Sequence, residues 1–174
     1  MALNNSNNPI NGQSVQTNLL DRPGQMWKQM GRALFSIQAL EFCLSHYVAL
    51  LLHKRRDEAI SLLDKSLRKT LGQLIKTLKD NAVPIPDGYE TRLDVFVEER
   101  NWLVHRLYRE NSEHIFSDVK HEIVIKRISA LIEEAKSISQ TIVELSEQWC
   151  YKQGMTKEQY DAEIKKGLSK IEYS

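Results

Sequence analysis

Apolar side chains recur along this chain at helical intervals, broken by a few short polar segments. From about Gln25 to Lys54, Met30, Leu34, Ile37, Leu44, Val48, Leu51 and Leu52 follow the spacing of one helix face. A second helix is predicted over about Asp57 to Lys79. Residues 81–88 then break the pattern, because Pro84 and Pro86 restrict the residues before them and cannot sit in a helix interior. Asp87 with Glu90 three places on resembles a capping box opening a third helix that reaches about Arg109. Asn111 and Ser112 end it. Ser117 or Asp118 can cap a fourth helix reaching about Tyr151. Thr156 with Gln159 opens a short fifth.

The pattern predicts an all-α protein. Its expected form is an up-and-down four-helix bundle over residues 23–152. A short amphipathic C-terminal helix within 153–174 would pack on the bundle or on a dimer partner. Residues 1–22 are polar and Asn-rich, with too little apolar content to order by themselves.

Composition agrees. Seven Gly and four Pro in 174 residues leave few helix breakers. Cys43 and Cys150 form neither a disulfide framework nor a zinc spacing, which fits a reducing cytoplasm. The first twenty residues lack both Lys and Arg and any apolar run, so a secretory signal is not expected. Cys43 to Leu52, interrupted by Ser45 and His46, is too short for a transmembrane helix, and no membrane association is expected. Net charge is only +1. Its distribution is uneven: residues 54–79 carry eight basic and three acidic side chains. Such a run is a solvated helix face or a track for a phosphate backbone.

The third helix holds the candidate chemistry. It reads Glu98-Glu99-Arg100-Asn101-Trp102-Leu103-Val104-His105-Arg106-Leu107-Tyr108-Arg109. At about 100° per residue, Leu93, Phe96, Val97, Leu103, Val104 and Leu107 make one apolar stripe with Arg100 in its middle, and Asn101 and His105 lie one turn apart at its edge. A guanidinium there cannot lose its charge and needs a buried partner or a facing anion. Glu41, near the centre of the first helix's stripe, is the expected partner. That pair would be purely structural or would also hold Arg100 for catalysis. Arg109 and His114 repeat the Arg-to-His interval without the Asn, across the expected helix end.

Arg100-Asn101-x-x-x-His105 resembles the signature of the HEPN superfamily, in which an Arg, often followed by a polar residue, precedes a His by four to six residues. The family's helical bundle, with this motif on a late core helix, resembles residues 25–151 in outline. The resemblance implies a metal-independent endoribonuclease. Arg100, Asn101 and His105 would be catalytic, with Glu41 and Tyr108 in support. It also implies a two-fold homodimer, because one chain supplies a single motif His while the reaction wants both a base and an acid. RNA is the implied substrate, with Arg55, Arg56, Arg106 and Arg109 as candidate contacts and His114 at the rim of the cleft. Such enzymes recur in bacterial defence and toxin–antitoxin systems, which implies an antitoxin or other defence partner. The alternative is a HEPN-like domain without catalysis that binds a nucleotide, RNA or a protein; a plain helical interaction module is the third possibility.

Metal chemistry and cofactors are not expected. His46 and His53 stand two turns apart without a carboxylate set, and no Glu has a His three places on, as di-iron bundles require. Trp102 is expected opposite the apolar stripe, as a partly exposed contact. Tyr108 follows His105 by three places, whereas the Tyr that a partner nucleotidyltransferase modifies in some family members follows by two.

Overall fold

The structure is a computed structural model and describes residues 22–52, 69–111 and 118–162. The described residues are helical, with turns and short connections and no strand among them. Helix α1 (Arg22–Leu52) starts with Pro23 in its first turn, where a missing N–H costs nothing. Its core face runs through Met26, Ala33, Ile37, Leu40, Leu44 and Val48. Leu34 and Leu52, expected on that face, are instead exposed; the stripe passes through Ala33 and Leu40. α1 is long and apolar enough to cross a membrane by length and composition, which the sequence reading did not anticipate. Part of that apolar character is spent on the core and part faces outward.

The expected helix over 57–79 is not continuous. Residues 69 and 70 are non-helical, and α2 (Leu71–Asp80) begins afresh. The backbone N–H of Thr70 donates to Gln73 Oε1 at 2.9 Å, one half of a capping box that marks a helix start. α2 buries Leu71, Leu74, Ile75 and Leu78.

The proline segment then crosses to α3 (Tyr89–Asn101). Tyr47 Oη donates to the Pro84 carbonyl at 2.6 Å and ties this loop to α1. The cap of α3 is Gly88, in the left-handed region at φ 75°, and not Asp87, which is exposed. Only glycine takes that conformation without strain.

α3 continues as a π-helical turn (Trp102–Arg106) and then α4 (Leu107–Asn111). In the π turn the Leu107 N–H bonds back five residues to the Trp102 carbonyl, so the helix is underwound. The buried face therefore swings round. The buried residues are Leu93 and Phe96 before the turn, Trp102 and Leu103 within it, and Leu107 after it. A constant 100° step places Val104 inside and Trp102 outside. The structure reverses both.

α5 (Asp118–Lys152) lies antiparallel to α3. Tyr89 Oη donates to Ile138 O at 3.3 Å, Arg92 pairs with Glu134 at 2.5 Å, and Glu99 accepts from Arg127 at 2.7 Å further down. α5 also packs along α1, and Ile128, Ile138 and Ile142 are fully buried. Gly154, at φ 87°, closes the C-terminal end of α5 with its N–H on Tyr151 O at 2.9 Å. Thr156 and Gln159 form the expected capping box, and residues 157–162 are helical. Tyr160 is buried there, edge-on to Tyr151, and burial pushes its hydroxyl up to about 12.

Phe96 is 1% exposed between these helices. Phe96→Ala should cost about 3–5 kcal/mol through lost burial and a residual cavity. Urea unfolding should show a lower midpoint with an unchanged slope; a loss under 1 kcal/mol would place Phe96 outside the main core.

Candidate functional site

Arg100 occupies the last turn of α3 and is half-buried. Its Nη2 lies 4.0 Å from Glu41 Oε1, and the two side chains are equally shielded at 24% exposure. The same Glu41 oxygen accepts the Leu71 N–H at 3.2 Å. One carboxylate thus faces a guanidinium and satisfies an orphan donor at the start of α2. Three segments distant in sequence meet at this oxygen. The Glu41–Arg100 approach is the expected one; the bond to Leu71 has no signal in the sequence pattern.

The guanidinium is under-used. Its Nη1 donates to Asn101 Oδ1 at 3.4 Å, a long bond between sequence neighbours. Its Nε is buried without a hydrogen-bond partner among the described residues. A buried N–H of a charged group left unpaired is costly, and an oxyanion is the partner that would satisfy it best.

His105 is in the π turn and exposed. It makes no hydrogen bond or ion pair among the described residues. The structure therefore gathers Arg100, Asn101 and Glu41, and leaves His105 on the adjoining surface. Tyr108 is 71% exposed on α4, and Arg109 is exposed beside it. Arg106 lies 3.6 Å from Glu98 and donates to the Glu98 carbonyl at 3.3 Å. Arg55, Arg56, His53 and His114 lie outside the described residues.

Trp102 is a structural residue, buried to 2% and not a surface contact. The Arg127 guanidinium lies 3.8 Å from the centre of its ring and makes two bonds to Glu99, at 2.7 and 2.8 Å. These bonds hold the Glu99 carboxyl below its usual range. The cluster clamps the π turn to α5, and so fixes where His105 emerges. No local motif announces it, because Arg127 lies 28 residues from Glu99.

Among the described residues no group of three or more His, Cys, Asp and Glu side chains is placed to hold a metal. Comparison of the chain with protein-family models, curated proteins and solved structures found no match.

Two measurements test these assignments. Glu41→Leu removes both the charge facing Arg100 and the acceptor for Leu71 N–H, whereas Glu41→Gln keeps an acceptor. The first should cost about 2 kcal/mol and the second about half as much. Equal losses would show that the α2 contact contributes nothing. Burial also holds the His46 imidazole below its usual range. The native chain keeps it neutral where an unfolded chain, titrating near about 6.5, takes up a proton. Its contribution to stability is complete above that value and declines as pH falls below it. His46→Gln should flatten the fall in stability between roughly pH 7 and pH 5; an unaltered slope contradicts the assignment.

Proposed function

We propose that this chain is a metal-independent endoribonuclease of the HEPN type, built on a four-helix bundle with a short C-terminal helix and working as a two-fold dimer. The observation that carries the proposal is Arg100. It is a fixed positive charge, half-buried, with an unpartnered Nε and with an amide and an exposed imidazole on the same stretch of helix. A phosphodiester would supply acceptors for the donors that Glu41, at 4.0 Å, leaves unsatisfied.

In the proposed reaction the ribose 2′-hydroxyl attacks the adjacent phosphorus. The new bond joins O2′ to phosphorus and the bond from phosphorus to O5′ breaks, leaving a 2′,3′-cyclic phosphate and a 5′-hydroxyl. One His105 takes the 2′-hydroxyl proton. The His105 of a second copy of the chain gives a proton to the departing 5′-oxygen. Arg100 stabilises the negative charge that gathers on the phosphorane, and Asn101 orients a phosphate oxygen through its amide. Glu41 is a positioning residue, which holds Arg100 without touching the substrate. Arg106 and Arg109 on the same surface contact the RNA backbone. A role in bacterial defence or as the toxin of a toxin–antitoxin pair is part of the proposal and rests on the family resemblance alone.

One observation favours a second reading, a domain of this type that binds RNA, a nucleotide or a protein without cutting. Among the described residues His105 makes no hydrogen bond to Arg100 or Asn101 within a single chain. The readings separate in one assay: end-labelled RNA incubated with wild type and His105→Ala, with chelator throughout. The nuclease reading expects cyclic-phosphate products from wild type and a loss of roughly 10²- to 10⁴-fold in the variant. RNA retained without product supports the binder, and cleavage that survives His105→Ala overturns the mechanism.

A further inference from the structure

Helix α1 carries a second apolar face that the fold does not use. Trp27, Leu34, Phe35 and Phe42 are all exposed, Phe35 by 73% and Trp27 by 61%. Their spacing puts them on one side of the helix, away from the core stripe. Each buried aromatic side chain removes on the order of 150–250 Å² from water, so the three rings with Leu34 form a patch at the upper end of what a monomer exposes by default.

The patch borders a groove of about 770 Å³ between α1 and α5. Phe35 and Ala39 line it from α1, and Ile132 and Val143 from α5. Among the described residues its charged lining is Lys28, Arg32 and Lys136, the last paired with Glu133 at 2.7 Å, and it includes no carboxylate. Gly31 also lines the groove, in mid-helix, with open space where a Cβ would stand. Such a glycine costs roughly 1 kcal/mol relative to alanine, and among the described residues no close packing against it offsets that cost. It lets another backbone come close. From Lys28 to Ala39 the groove follows about three turns of α1.

We infer that this groove binds an amphipathic helix of a partner protein whose polar flanks are acidic. The apolar floor takes the helix's apolar stripe, and Lys28 and Arg32 meet carboxylates along its edge. The competing occupants fit less well. A single-stranded nucleic acid needs successive flat rings, and the floor is mainly aliphatic. A membrane surface is flat where this site is concave. A second copy docked about a two-fold near Gly31 would set Lys28 and Arg32 against their own counterparts. The inference is independent of the nuclease reading, because the groove shares no residue with the Arg100 site.

The test uses the full chain and two dye-labelled helical peptides of about eighteen residues. Both carry the same leucine stripe, one with glutamate and the other with lysine on the flanks. Fluorescence anisotropy should show the acidic peptide binding at least roughly tenfold tighter, with the difference shrinking as salt rises. The doubly reversed variant Lys28→Glu/Arg32→Glu should invert the preference, and Phe35→Ser should weaken the acidic peptide by roughly tenfold. Both substitutions are at the surface, and an unchanged thermal midpoint confirms that the variants fold. Equal binding of the two peptides, or a preference that survives charge reversal, overturns the inference. So does displacement of the acidic peptide by oligouridine or by anionic phosphatidylglycerol vesicles. A concentration-dependent dimer that Phe35→Ser converts to monomer would assign the face to self-association and overturn it as well.

Discussion

A guanidinium cannot be neutralised by folding, so wherever the chain half-buries one, its surroundings must supply negative charge. Arg100 sets that demand here. Glu41 on α1 meets part of it from 4.0 Å, and the same carboxylate oxygen holds the first N–H of α2. Because the carboxylate serves both, α1, α2 and α3 are registered to one another at one point. What remains of the demand is the buried Nε, which has no hydrogen-bond partner among the described residues, and the proposed function rests on it. A purely structural pair would be expected to satisfy the fork more fully, since geometry and complete hydrogen bonding decide whether a buried charge is tolerated.

The π turn is the second constraint. The helix is underwound between Trp102 and Leu107; Trp102, at the start of the turn, lies in the core, and His105, further along it, faces solvent. Such turns recur where a helix presents reactive side chains, because they re-aim residues without ending the helix. Here the turn is clamped from outside by the Arg127 guanidinium stacked on Trp102 and bonded to Glu99. The proposed chemistry then divides in two: a charge fixed inside each chain, and an imidazole offered at the surface. A dimer would complete that division.

Much of this was legible in the sequence. The long α1 and α5, the proline break and the capping box at Thr156 all follow from local rules, and they appear as expected. The approach of Glu41 to Arg100 was legible too, because a charge at the centre of an apolar stripe must find its opposite on a facing stripe. Other features were not. Thr70 and Gln73 do carry a capping signal, but the basic run around them masked it within one long helical pattern. Gly88 displaced Asp87 as a cap because backbone conformation, not side-chain chemistry, decided that turn. The π turn has no local signature at all. Leu103 and Leu107 are buried as the regular phase expects, but Trp102 and Val104 are reversed, with Trp102 held in the core beside Arg127 of α5.

The central claim is that Arg100 is aimed at a phosphate. Selective observation of arginine Nε–H resonances by NMR tests it directly, with a 3′-phosphorylated mononucleotide as the titrant. The account predicts that the Arg100 signal moves and saturates, and that the movement persists in His105→Ala. An Arg100 signal that stays fixed while the nucleotide binds elsewhere, or is not bound at all, would contradict it.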